Sequence, residues 1–134
     1  MPLSRIHHLG LTVADADVSA NWYSTVLGFH RVGAFTSADG ARRKVFLAHD
    51  GLGVRLGLCE HVGSDRSRFD ETRVGLDHLA FGLDGIDELE AWERRLRDCA
   101  VTFTPAAPAN TIDGAYVLVL RDPDNIQLEL FAER

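Results

Sequence analysis

The sequence repeats itself, and the repeat limits the fold to a pair of like units. His8-Leu9-Gly10-Leu11-Thr12-Val13-Ala14-Asp15 returns as His78-Leu79-Ala80-Phe81-Gly82-Leu83-Asp84, with the two histidines 70 residues apart. A repeat of this kind makes each half one supersecondary unit. After each copy an acidic start leads into a helical pattern. In the first half the helix is expected over Asp17 to Leu27, with Val18, Trp22 and Val26 at helical spacing and Gly28 as the stop. In the second, Ile86, Leu89, Trp92 and Leu96 recur at intervals of three and four among Glu90, Glu93, Arg94 and Arg97.

Three strand signals follow each helix: Phe29 to Thr36, Arg42 to Ala48 and Val54 to Glu60, then Val101 to Thr104, Ala115 to Leu120 and Ile126 to Ala132. Turns are expected at Ala38-Asp39-Gly40, Asp50-Gly51-Leu52-Gly53 and Asp122-Pro123-Asp124-Asn125. Each half therefore reads strand, helix, three strands. The expected organisation is one α+β domain spanning residues 1–134. Its first module covers about 4–61, a polar linker about 62–74 and its second module about 75–134. A loop from Pro105 to Gly114 either covers a site or wanders.

Side chains alternate across a strand, so parity decides which residues share a face. Leu9, Leu11 and Val13 form a helix-facing row, which turns His8, Gly10 and Thr12 away. Leu79, Phe81 and Leu83 do the same in the second copy, leaving His78, Ala80 and Gly82 opposite. In the last strand Ile126, Leu128 and Leu130 face the helix, and Gln127, Glu129 and Phe131 do not. Two histidines and one carboxylate thus fall on the faces away from the helices, beside small neighbours. A two-His-one-carboxylate set leaves coordination positions open and suits Fe(II) and related ions, whereas closed structural zinc sites take four protein ligands. His8, His78 and Glu129 are the expected metal ligands. Glu129 on an otherwise apolar strand supports that role, because a buried carboxylate without a partner is costly, and its competing role is an ion pair with Arg55.

Aligning Leu56-Gly57-Leu58 with Leu128-Glu129-Leu130 puts Gly57 where a second carboxylate would stand. Arg55 and Cys59 share that parity, so Arg55, Cys59, Gln127 and Phe131 are expected to meet substrate, Arg55 through an anionic group. His61, just beyond, is the candidate acid or base, since proton transfer needs a group that titrates near neutrality; its alternative is a solvated histidine where the strand becomes a linker. His7 has the opposite parity to His8 and is expected to frame the strand. His30 and His49 are expected at the surface, and Trp22, Trp92 and Leu96 in the core.

Composition narrows the partners. The formal net charge of −6 argues against nucleic acid. No apolar run approaches the roughly 20 residues that span a bilayer, and Met1-Pro2-Leu3-Ser4-Arg5 lacks a signal-peptide core. Two cysteines, Cys59 and Cys99, make no disulfide framework, so a reducing cytoplasm is the expected setting. At 134 residues and 46% hydrophobic content, the chain can fill a real core.

The His-Leu-Gly-Leu-Thr-Val start, Trp22-Tyr23 with Leu27-Gly28-Phe29, the His78 strand and the Asp-Pro-Asp-Asn…Leu-Glu-Leu end together resemble the vicinal oxygen chelate superfamily. That group includes glyoxalase I, extradiol dioxygenases, fosfomycin-resistance enzymes and bleomycin-resistance proteins. The resemblance covers nearly the whole chain. It implies paired βαβββ modules whose curved mixed sheets enclose a metal and substrate cavity, and a homodimer. It also implies a divalent-metal-dependent enzyme acting on a small oxygen-rich molecule, dioxygenase-like by its His-His-Glu set. Fe2+ is the favoured ion, ahead of Mn2+, Ni2+ or Zn2+. The chain departs from each branch somewhere. Glyoxalase I carries a carboxylate where Gly57 stands. Extradiol dioxygenases place a histidine and a tyrosine ahead of the Asp-Pro turn, where this chain has no histidine and has Val119. Fosfomycin enzymes have threonine at the position of Gly10. A glyoxalase-like lyase or isomerase is the alternative chemistry, and a non-catalytic binding protein is the alternative class.

Overall fold

The computed structural model describes residues 2–133, which divide after Ser67 into two compact units. The first carries β1 (His8–Thr12), α1 (Ala16–Leu27), β2 (His30–Thr36), β3 (Arg42–Ala48) and β4 (Arg55–His61). The second carries β5 (Leu79–Leu83), α2 (Glu88–Asp98), β6 (Phe103–Pro108), β7 (Tyr116–Arg121) and β8 (Gln127–Ala132). Each unit holds one four-stranded mixed sheet and one helix, the α+β, twice-βαβββ arrangement expected from the repeat. The strand orders are β1-β4-β3-β2 and β5-β8-β7-β6. In both sheets the first strand pairs parallel with the last, and the remaining pairings are antiparallel.

Helix α1 starts where Asp15 caps it, its Oδ1 accepting the Asp17 and Val18 amides at 2.9 Å. It stops at Gly28, whose φ of 80° favours a residue without a side chain. Its buried stripe is Ala16, Ser19, Ala20, Tyr23, Val26 and Leu27. That stripe corrects the expected one. Val18 is 54% exposed and Trp22 only half-buried, because Ala16-Ala20-Tyr23-Leu27 keeps the 3.6 period better and brings Tyr23 onto Phe29. Trp92 is likewise half-buried, near the Arg95 guanidinium, while Leu89 and Leu96 anchor α2.

Leu56 and Leu58 on β4 pair with Leu47 and Val45 on β3, and Leu128 and Leu130 on β8 pair with Leu120 and Leu118 on β7. All eight are almost fully buried. Burying each such side chain stabilises the fold by about 1.5–3 kcal/mol. Strand β6 runs further than expected, through Pro105 to Pro108, and its register shifts between Thr104 and Ala107. Proline is tolerated there because β6 is the outer strand of its sheet, where a missing amide and a bulge cost no inner ladder bond. The Asp122-Pro123-Asp124-Asn125 turn is held by buried Asp122, whose Oδ1 accepts the Asp124 and Ile126 amides. Asn125 takes the left-handed conformation that closes the turn, with φ 71°.

Candidate functional site

In the second unit, parity and register place the site residues on the sheet face turned from α2. Glu129 pairs with Ala80 on one side and Val119 on the other, and Phe131 follows two residues on. A cavity of about 500 Å³ opens there. Its floor is Ala80, Val117, Glu129 and Phe131, and the loop after β6 supplies Asn110, Thr111 and Ile112. The loop expected over Pro105 to Gly114 therefore borders the site through its second half. It closes on itself by Ala109 N–H to Ala115 O at 2.9 Å.

His78 stands at the head of β5 with Nε2 3.6 Å from Glu129 Oε2. The Glu129 side chain is 15% exposed and His78 41%, so the carboxylate lies in the cavity and the imidazole at its mouth. His78 Nδ1 meets Asp77 Oδ1 at 2.6 Å. An ionised carboxylate only accepts, so Nδ1 donates to Asp77, and Nε2 is the ring nitrogen turned toward Glu129. The other Glu129 oxygen, Oε1, accepts from Gln127 Nε2 at 3.2 Å. Gln127 Oε1 in turn accepts from Arg121 Nη2 at 2.9 Å, and Arg121 grips Glu71 through two bonds of 2.8 and 3.1 Å. That guanidinium holds the Glu71 carboxyl down at about 2. The same ion pair raises Arg121 above its usual value.

The pair fits a metal ion. Two donors on one ion at about 2.1 Å lie roughly 3.0–3.4 Å apart for cis-octahedral to tetrahedral angles, close to the observed 3.6 Å. One imidazole and one carboxylate, the imidazole backed by a second carboxylate, is the donor chemistry of His-carboxylate centres. Among the described residues no group of three or more His, Cys, Asp or Glu stands ready to hold an ion. The structure thus brings together two of the three expected ligands.

His8 lies in the first unit, on the equivalent face and beside Arg55 in register. Its Nδ1 is 2.9 Å from His7 Nδ1, so His7 steadies the ring. Gly10 pairs with Gly57 as Ala80 pairs with Glu129, and Phe46 stands opposite Gly57 where Val119 stands opposite Glu129. A methyl built on Gly57 would lie 3.6 Å from both Phe46 Cε1 and the Leu9 carbonyl oxygen. The phenyl ring fills the space a carboxylate would use.

Of the expected substrate contacts, Phe131 lines the cavity and Gln127 braces Glu129. Arg55 is exposed, and Cys59 is buried with Sγ 3.6 Å from Gly57 O. His61 ends β4, six residues from Arg55, or about 20 Å along the strand. That separates it from His8. Tyr116 has helix-side parity, with Leu118 and Leu120, so it does not substitute for a tyrosine beside Glu129.

Sequence reasoning missed Asp77, Arg121, Glu71 and the loop residues. Asp77 was legible as an acid adjoining a candidate ligand. Arg121 pairs with Gln127 across strands, and Glu71 arrives from the segment leading into β5, so neither had a local signal.

Comparison with known proteins gives this geometry its context. The model of the Glyoxalase/Bleomycin resistance protein/Dioxygenase superfamily matches residues 5–130. A glyoxylase/bleomycin resistance protein/dioxygenase domain from Frankia sp. EAN1pec is 34% identical, with a TM-score of 0.87, over 99% of this chain and 100% of that one. The glyoxalase family protein from Enterococcus faecalis has 23% identity and a TM-score of 0.77, covering 95% of this chain and 96% of its own. The fosfomycin resistance protein FosX from Listeria monocytogenes, in complex with Mn(II) and sulfate, has 16% identity and a TM-score of 0.71 over 99% of this chain and 95% of that one. No curated protein sequence matches. The family match, spanning both copies of the repeat, makes this chain a member of the glyoxalase/bleomycin resistance protein/dioxygenase superfamily.

Proposed function

We propose that this protein is a divalent-metal-dependent enzyme acting on a small molecule that carries adjacent oxygens. The observation that carries the reading is the His78 Nε2–Glu129 Oε2 pair at 3.6 Å facing a cavity of about 500 Å³. His78 and Glu129 supply two ligands, and His8 of a first module supplies the third. That module belongs to the same chain or to the second copy in a homodimer. The bound ion would provide Lewis-acid activation of the substrate oxygens, or oxygen chemistry if it is iron. The manganese in the Listeria FosX structure supports a divalent ion. The His-His-Glu set, open at its remaining positions, favours dioxygenase-like chemistry with Fe2+, with lyase or isomerase work the alternative for Mn2+, Ni2+ or Zn2+.

The chain's own groups divide the remaining work. Asp77 holds the His78 ring through Nδ1, which leaves Nε2 turned toward the cavity as the ligating nitrogen. Val117, Ile112 and Phe131 keep water from the substrate's apolar body, and Asn110 and Thr111 offer it neutral hydrogen bonds. Arg55, beside His8, would pair with an anionic substituent.

The test is metal content of tag-free protein. About one ion per chain is expected in the wild type, lost in His8→Ala, His78→Ala and Glu129→Ala. A wild type that holds no ion and takes none up from Fe(II), Mn(II), Ni(II) or Zn(II) would refute the proposal. It would favour the sequestering protein that the apolar lining of Ala80, Ala109, Ile112, Val117 and Phe131 also suits.

A further inference from the structure

A hydrogen-bonded chain on the second sheet reaches Glu129 from outside the cavity. It begins at Glu71, in the segment leading into β5, passes through Arg121 and Gln127, and ends on Glu129 Oε1. Its chemistry runs in one direction. Guanidinium only donates and carboxylate only accepts, so a group joining them must accept at one end and donate at the other. A neutral amide does this. Arg121 fixes which end of the Gln127 amide is oxygen, and the NH2 end is thereby aimed at Glu129.

The beginning of the chain is well anchored. Phe69 N–H donates to Asp124 O at 2.9 Å, and Asn125 Nδ2 donates to Phe69 O at 2.9 Å. Arg121 Nη1 also donates to Asn125 O at 3.1 Å. The segment carrying Glu71 is thus fastened to the turn before β8, and Gln127 is the first residue of that strand. In the first unit, the register puts Arg55 at the position of Gln127 and Gly57 at that of Glu129. The amide occurs where there is a carboxylate to hold.

We infer that Gln127 is a positioning residue, held by Arg121 and Glu71, that fixes Glu129 through Oε1 so that Oε2 is presented to an ion beside His78. This rests on the metal reading above. Outer-shell partners of metal ligands act in this way, and losing one typically weakens metal binding by about 10–100-fold.

Gln127→Glu keeps the Arg121 contact and replaces the amide donor with a second carboxylate, which repels Glu129 instead of holding it. Its carboxylate still accepts from Arg121, so the Glu71 anchor and the fold are retained, yet it cannot donate to Glu129. A further negative charge near a cation should by itself tighten binding, so weaker binding would report lost orientation. The experiment titrates apo protein with Mn(II) alone and follows free Mn(II) by electron paramagnetic resonance. Melting temperature is measured in parallel, and Gln127→Leu, which loses both bonds, is the second variant. We expect the Kd to rise about 10–100-fold in both, with the Gln127→Glu melting temperature near that of the wild type. Equal or tighter binding by Gln127→Glu, against a wild type that binds Mn(II), would overturn the positioning role alone. A wild type that binds neither Mn(II) nor Fe(II), Ni(II) or Zn(II) would overturn both.

Discussion

Gly57 is the position where the two units differ most in chemistry, and it yields a two-sided prediction. It is buried in the middle of β4, between Gly10 on β1 and Phe46 on β3. Glycine inside a strand costs roughly 0.5–1 kcal/mol relative to alanine, through the entropy of the unfolded chain. A Cβ there would meet the Leu9 carbonyl and the Phe46 ring at 3.6 Å, ordinary van der Waals separation. Gly57→Ala should therefore stabilise the protein by about 0.5–1 kcal/mol, or roughly 2–4 °C in Tm for a chain of this size. Gly57→Glu should do the opposite. Its carboxylate must enter the space of the phenyl ring, and an unsatisfied buried polar group costs about 1–3 kcal/mol. Replacing Phe46 by the valine that stands beside Glu129 should relieve that cost. The Phe46→Val/Gly57→Glu double variant should then be more stable than the sum of the singles by about 1 kcal/mol or more. Urea unfolding of the wild type and these four variants measures all of this. Destabilisation by Gly57→Ala, or additive effects of Phe46→Val and Gly57→Glu, would refute the claim that Phe46 and not the backbone excludes a carboxylate from this face.

Three further outcomes follow from the geometry. Glu71 has a folded pKa of about 2, below the usual 4.5, so its contribution to stability is fully present above about pH 4.5 and is lost as pH falls toward 2. Glu71→Gln should be less stable than the wild type at pH 7 in urea unfolding, and the gap should close near pH 2. A gap that does not change with pH would dissociate it from the Arg121 pair. Leu130, 1% exposed between β7 and the helix side of its sheet, should cost about 2–5 kcal/mol when cut to alanine, read from the same unfolding curves. Asp15→Ala, which removes the acceptor for two α1 amides, should cost about 1 kcal/mol, and Asp15→Asn should recover most of it.

Much of the fold was legible because a strand has a period of two and the repeat states each pattern twice. Leu128, Glu129 and Leu130 could be assigned to opposite faces by counting, and the observed register places Glu129 opposite Ala80 as Gly57 is placed opposite Gly10. Helix faces were harder. Val18 and Trp22 are more hydrophobic than Ala16 and Ala20, yet the small residues are the buried ones, because close approach of α1 to its sheet selects for size as well as polarity. The length of β6 was hidden by Pro105 and Pro108, which argue against a strand until the strand is known to be an edge. The bracing of Glu129 was hidden for another reason. Glu71 and Arg121 are 50 residues apart, and a single sequence carries no trace of such a pairing.

The two units also show where a duplicated fold is free to change. On the helix side the copies agree: Leu56 and Leu58 match Leu128 and Leu130, and Val45 and Leu47 match Leu118 and Leu120. Those side chains fill a close-packed interior, where even one methylene is felt. On the opposite face they differ at nearly every step. Gly57, Phe46, Arg55 and Cys59 in the first unit stand where Glu129, Val119, Gln127 and Phe131 stand in the second. The first set closes its face with an aromatic ring over a glycine. The second opens a cavity and orients a carboxylate within it, using an amide where the first unit has a guanidinium. An arginine at position 127 would meet Glu129 as a direct ion pair and also face Arg121, so it would neutralise the carboxylate instead of orienting it. The neutral residue lets a positive group act at one remove, contacting Glu129 without cancelling its charge, as the proposed metal role requires.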